Sequence, residues 1–234
     1  MTLPQQSLEV ELFARQLAAL LKSSEVGVLE QIRPRIQQLM AALDGLAAGA
    51  EPLSPEELYA ELDRLTAPLN DRIEQLLGVA MVRLQGPLRD QASRIGAVIP
   101  AAPATAPQAL LRQARVNDET IAAHLQRRSP SRWQAELMGA IRTGLEAGWE
   151  RHRAAVEEGI NRLTRVLVST ALWAHGNSEL QANWVTPSRW RYVGVLDPST
   201  CPVCAPWVDR TAADRSALPE TPQHWSCRCH VIPA

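Results

Sequence analysis

The stretch "LEQIRPRIQQLMAALDGLAAGAEPLSPEELYAELDRLTAPLNDRIEQL", Leu29 to Leu76, carries two apolar seams with a stop between them. In the first seam Leu29, Ile32, Ile36, Leu39, Leu43 and Leu46 recur in alternating steps of three and four, the spacing of a coiled coil. Leu58, Leu62, Leu65, Leu69, Ile73 and Leu76 form the second. Between them "GLAAGAEPLSPEEL" holds a Gly-rich stop and a fresh helix start, with Ser54 as N-cap, Pro55 at N1 and Glu57 at N3. Folding the chain back near Glu51 sets Leu43 opposite Leu58, Leu39 opposite Leu62, Ile36 opposite Leu65 and Ile32 opposite Leu69. The numbers in every pair have the same sum, as an antiparallel helical hairpin requires. Pro34 and Pro68 fall at nearly the same height, so both arms are expected to bend together. At 1.5 Å per residue such arms are about 35 Å long. Two readings stay open: a plain bundle, or a hairpin that projects to meet a partner.

Before this stretch, Leu8, Leu12, Phe13, Leu17, Leu20 and Leu21 predict a separate amphipathic helix ending near Ser23. After it, "VIPAAPATAPQ" (Val98 to Gln108) predicts a semi-rigid Ala/Pro linker. Val116 and Ile121 then bracket Asn117 as a hydrophobic staple around an N-cap, opening a helix that stops at "RRSP". A longer helical region is expected from Ser131 to about His175, with Gly176 and Asn177 as its C-cap. In it Ala140, Gly144 and Gly148 lie four apart on one face, which lets another helix come close. All seven tryptophans lie in this second half and are expected to supply most of its aromatic core. Past Pro187, "RWRYVGVLD" alternates as a strand does, with Trp190 and Tyr192 on one parity.

The expected fold is therefore mainly α: a helical hairpin or bundle over 1–97, a linker over 98–108, a second helical region over 109–186, and a small α+β lobe of zinc type over 187–234. The net charge of -1 excludes bulk coating of nucleic acid. Residues 1–100 hold 9 basic and 13 acidic side chains, and residues 101–234 hold 15 and 12, so the second half is only mildly basic. No basic segment followed by an apolar core opens the sequence, and "IGAVIPAAPATAPQALL" is broken by prolines. A soluble protein made in a reducing cytoplasm, with no membrane partner, is expected.

The lobe contains every cysteine of the chain, in the pattern C-x2-C-x19-H-x2-C-x-C from Cys201, Cys204, His224, Cys227 and Cys229. A C-P-x-C turn aims two sulfurs at one point, and a second turn with histidine three places before cysteine can add two more ligands, as tetrahedral zinc requires. The preferred set is Cys201, Cys204, His224 and Cys227. Cys229 is held in reserve, because neighbours two apart on an extended chain are expected to point to opposite faces, and His230 is read as a surface strand residue. Full ligation by protein makes the metal structural, and apparent zinc binding of such sites contributes on the order of 10 kcal/mol to folding. Asp197, Asp209 and Glu220 are near, but their spacing selects no general base. A Cys201–Cys204 redox pair, two disulfides and a nucleic-acid-binding module remain competing readings. His124, His152 and His175 stand isolated, in solvated or capping roles, so no catalytic constellation is found.

"RWRYVGVLDPSTCPVCAPWVDR" followed by "PETPQHWSCRCHVIP" resembles the C-terminal signature of the phage head morphogenesis proteins, the Mu F-like minor head proteins. "INRLTRVLVSTALWAHGNSELQANW" is similar to the helix that leads into it, so the likeness covers about residues 155–233. This chain departs from the pattern at "TRVLVST", where the family usually has an Arg-Thr-Glu, and at Arg210, where the family has a glycine after the acidic residue. The resemblance implies a virion component sited in the head near the portal. It implies as partners the portal protein, other head proteins and packaged DNA, with several copies acting in head assembly and DNA packaging or exit. A DNA-binding accessory factor, or an enzyme module attached to the same kind of lobe, is the alternative.

Overall fold

The computed structural model describes residues 8–49, 53–94, 106–116, 119–125, 132–182, 189–194, 201–221, 223 and 227–234. Helix α1 (Leu8–Ala47) and helix α2 (Pro55–Arg94) are the two arms, each 40 residues and so about 60 Å long. The turn between them closes with the expected capping box. Glu57 N donates to Ser54 Oγ at 3.3 Å, while Ser54 N and Ser54 Oγ donate back to Glu57 Oε2 at 2.9 and 2.7 Å. These hydrogen bonds hold the Glu57 carboxyl below its ordinary pKa.

The arms are longer than the seams predict because the expected break near Ser23 does not occur. Glu25 and Val28 are buried, and Lys22 Nζ pairs with Glu25 Oε1 at 2.6 Å, so the core-facing stripe runs across the serines. Phe13, Leu17 and Leu21 extend that stripe, whereas Leu12 points outward at 53% exposure. Both helices continue through Pro34 and Pro68.

Ile32, Ile36, Leu39 and Leu43 are buried on one arm and Leu62, Leu69, Ile73 and Leu76 on the other. The hairpin does not stand apart. Helix α3 (Pro107–Gln113), strands β1 (Arg115–Val116) and β2 (Glu119–Thr120), helix α4 (Ile121–Leu125), helix α5 (Arg132–Glu146) and helix α6 (Trp149–Ala182) follow. From α6, Ile160, Leu167, Val168, Ala171 and Leu172 join the same hydrophobic cluster as both arms. The projecting-hairpin reading thus gives way to a bundle, since seams this apolar still have an open side that α6 covers. Within the segment read as linker, residues 98–105 lie outside the described residues, and Pro107 opens α3 at N1.

Other boundaries differ for identifiable reasons. Asn117 lies outside the described residues, and α4 is capped by Thr120, whose Oγ1 accepts from Ala123 N at 3.1 Å. The long helix expected after Ser131 is two helices. Gly148 has a φ of 103°, a left-handed conformation suited to glycine, and turns the chain between α5 and α6. Gly144 is the close-approach residue, because a Cβ there would lie 2.4 Å from Val156 Cγ2 of α6. Asp44 of α1 ties the corner down: Arg153 Nε donates to Oδ1 at 2.8 Å and Arg153 Nη2 to Oδ2 at 3.1 Å, with Trp149 Nε1 donating to Oδ1 at 2.8 Å. Arg153 and then Trp149 hold the Asp44 carboxyl below the usual carboxylate range.

The final element is a three-stranded antiparallel sheet of β3 (Trp190–Val193), β4 (Thr211–Ala212) and β5 (His230–Pro233), in the order β4-β3-β5. It acts as a partition. Val193 and Ile232 belong to the helical core on one side, and Tyr192 and Val231, paired across the strands, belong to a second small core on the other. No helix among the described residues is long and apolar enough to cross a membrane.

Candidate metal centre

The second core is built around sulfur. Cys204, Cys227 and Cys229 are buried beside Tyr192, Val208, Leu218 and Val231, and their three Sγ atoms lie within 4.8 Å of one another. All four cysteines are free thiols, which sets aside the disulfide reading.

A turn at 201–204 and the stretch before β5 deliver the sulfurs. In the first, Cys204 N and Ala205 N both donate to Cys201 O, at 3.0 and 2.9 Å, and the chain passes into a single 3-10 turn at Ala205–Trp207. Val203 N donates to Cys201 Sγ at 3.3 Å. Cys227 and Cys229 come from the stretch just before β5, and backbone hydrogen bonds from Cys229 and then Gln223 contribute to lowering the Cys227 pKa. Cys229 does not point away from Cys227. The expectation that held Cys229 in reserve is wrong, because residues two apart on an extended chain share a face rather than opposing one another.

Among the sequence-predicted ligands, then, Cys204, Cys227 and Cys229 converge. Cys201 is half-buried and packs against the same core outside that triangle. His224 lies outside the described residues, as does Asp197. His230 is not on the surface: it is 1% exposed, stacks on Trp173 at 4.8 Å between ring centroids, and sits 2.7 Å by Nδ1 from Asn177 Oδ1. Burial lowers its pKa to about 3, so the ring is neutral. Asp209 pairs with Arg191 at 3.7 Å.

The electrostatics of the triad favour a cation. Cys204 Sγ and Cys227 Sγ are 3.7 Å apart, close to the edge of about 3.8 Å expected when two sulfurs bind one tetrahedral ion through bonds of about 2.3 Å. As bare thiols the three accommodate one charge between them. Cys227 is the thiolate, its pKa lowered to about 2 by hydrogen bonds from Cys204 and then Cys229. Cys204 is pushed up to about 12, chiefly by its bond to Cys227, and Cys229 is pushed up by its bonds to both. A divalent ion would relieve this mutual opposition by binding all three as thiolates. The donor set fits a soft or borderline metal.

Four residues outside the cysteine pattern complete the site. Gly194 lies against it, since a Cβ there would come within 3.1 Å of Cys229 Sγ. Gln223 Nε2 donates to Tyr192 Oη at 2.7 Å. Asn177, read from sequence as a helix cap, is buried inside a helix that runs on to Ala182. Its Nδ2 donates to Trp173 O and Cys229 O, each at 3.1 Å, and its Oδ1 accepts from Thr221 Oγ1 at 3.0 Å and faces His230 Nδ1. Only the strand parity of Tyr192 hinted at any of these roles. Dithiol redox chemistry confined to Cys201 and Cys204 is not what the packing favours, because Cys204 faces Cys227.

No family model, curated protein or solved structure matches the chain.

Proposed function

We propose that the chain is a minor head protein of a tailed phage or prophage whose C-terminal lobe is held together by structural zinc. The observation that carries this reading is the convergence of Cys204, Cys227 and Cys229. It gives the C-P-x-C and C-R-C elements of the resemblance one purpose at the end of the "RWRYV" strand. Zinc is the metal of choice because thiolate-rich, buried sites that perform no redox work suit it. Cys201 or His224 completes the ligand set, and full protein ligation leaves no position for substrate or water. The lobe is then a rigid knob on a long helical body, suited to docking rather than turnover.

On this reading the protein is made in the host cytoplasm and enters the head beside the portal in several copies. There it contacts the portal and neighbouring head proteins during assembly and DNA packaging or exit. Quantitative mass spectrometry of purified heads, with cross-linking to the portal of the same phage, tests it. Several copies per head, cross-linked to the portal and depleted by Cys204→Ser, are expected. Absence of the chain from heads would overturn the assignment, and salt-dependent retention on DNA without portal cross-links would favour the accessory-factor alternative.

A further inference from the structure

We propose that the cleft between α1 and α6 is the contact face of a homodimer, in which Glu158 of each copy inserts between Arg33 and Arg165 of the other about a two-fold axis. The inference goes beyond the reading above and rests neither on the metal nor on the resemblance.

Helices α1 and α6 run antiparallel, side by side. Asp44 holds Arg153 at one end of their contact, and at the other a Cβ on Gly176 would lie 3.3 Å from Leu21 Cδ1. The numbers in both pairs have the same sum, so Arg33 of α1 falls within a residue of the level of Arg165 of α6. A cleft of about 510 Å³ lies between these two points. Buried Ile36 and half-buried Leu29 contribute its floor, while its walls carry Arg33 and Arg165 at one end and Glu157 and Glu158 about two turns further along.

The charges of this face are left open although those of neighbouring surfaces are not. At a spacing of four residues Arg15 pairs with Glu11, Arg142 with Glu146 and Arg153 with Glu157. Glu158 and Arg162 have the same spacing and do not pair, and among the described residues Arg33 and Arg165 have no ion-pair partner either. Glu158, Asn161, Arg162 and Arg165 make one exposed stripe of α6, in helical steps of three and four. Two like charges therefore share one level of the cleft, and a carboxylate between them would turn their repulsion into attraction.

A second copy supplies that carboxylate from the same stripe. With the two α6 helices antiparallel and the axis passing between Asn161 and Arg162, Glu158 meets the partner's Arg165 and the partner's Arg33, while Arg162 meets the partner's Asn161. Asn161 donates its Nδ2 to Glu157 O at 2.9 Å, so its Oδ1 is the atom turned to an incoming guanidinium. An isologous contact makes every such pair twice. Nucleic acid suits the face less well, because its phosphates would meet Glu158 as well as the arginines.

Sedimentation equilibrium of the full-length protein tests this, on the wild type, Glu158→Arg, Arg165→Glu and the double variant Glu158→Arg/Arg165→Glu. These side chains are exposed, and circular dichroism checks that each variant keeps its helices. The wild type is expected to dimerise, with a dissociation constant that rises at least about 10-fold from about 50 to about 500 mM salt. Each single reversal sets like charges against one another across the axis and is expected to weaken the dimer about 10-fold or more. The double variant restores opposite charges and should dimerise as the wild type does. A wild type that stays monomeric at low salt overturns the proposal, and retention of that monomer on DNA, lost in Arg33→Glu, would give the cleft to nucleic acid instead. A dimer indifferent to both single reversals, or a double variant as weak as either, overturns it as well.

Discussion

Asn177 Nδ2 donates to the carbonyl oxygen of Cys229 across 3.1 Å, joining residues 52 positions apart. Through this one side chain the long helix α6 also holds Thr221 and His230, so the sulfur-rich lobe is bolted to the helical body at its last turn before β5. Replacing Asn177 strands several buried partners at once, and the cost of such stranding exceeds the net worth of the bonds themselves.

Asn177→Ala is therefore expected to destabilise the protein by about 2 to 4 kcal/mol in urea unfolding. Asn177→Asp, which keeps the acceptor but loses both donated bonds, should fall in the same direction. A change within experimental error for both would show that the lobe and α6 are docked by other means.

Asp209, which precedes Arg210, adopts a φ of 71°. Aspartate tolerates this left-handed backbone better than most residues. Asp209→Ala is expected to lose about 1 kcal/mol, and Asp209→Gly to be at least as stable as the wild type. Thermal unfolding of the three proteins gives the order Gly, Asp, Ala. An alanine variant as stable as the glycine variant would contradict this account of the turn.

His175 is buried in α6 with Nε2 donating to Met81 O at 2.9 Å, so it is neither solvated nor a cap. Burial holds its pKa below the ordinary value of 6.5, opposed more weakly by the Glu179 carboxylate. The unfolded chain thus takes up a proton below pH 6.5 that the folded chain resists, and stability falls as pH drops from 6.5 toward the folded value. His175→Gln should flatten this part of the stability profile between about pH 7 and 5. An equally steep profile in the variant would place the effect elsewhere.

The hairpin was legible because its signal is local and redundant: six apolar positions on each arm, a capping box and a turn all point the same way. The bundle was less legible, since nothing in the spacing of α1 and α2 says that α6 covers their open face. Misplaced breaks share one cause. Ser23, Gly176 and Asn177 look like helix ends by propensity, yet Glu25 and Asn177 are buried with polar partners, and those tertiary bonds override propensity. At the metal centre, the cysteine pattern named the residues that converge, while the expectation that Cys229 opposes Cys227 failed because positions two apart share a face on an extended chain. Tyr192 and Gln223 are 31 residues apart, and no local pattern announces a hydrogen bond between them.

Metal content per chain tests the central claim most directly. It should be measured on the full-length protein and on Cys204→Ser, Cys227→Ser and Cys229→Ser after passage over a mild chelator. One zinc per wild-type chain is expected, lost from each of the three variants alike. A wild type that carries no stoichiometric metal, or a Cys229→Ser protein that keeps zinc as firmly as the parent, would contradict the account.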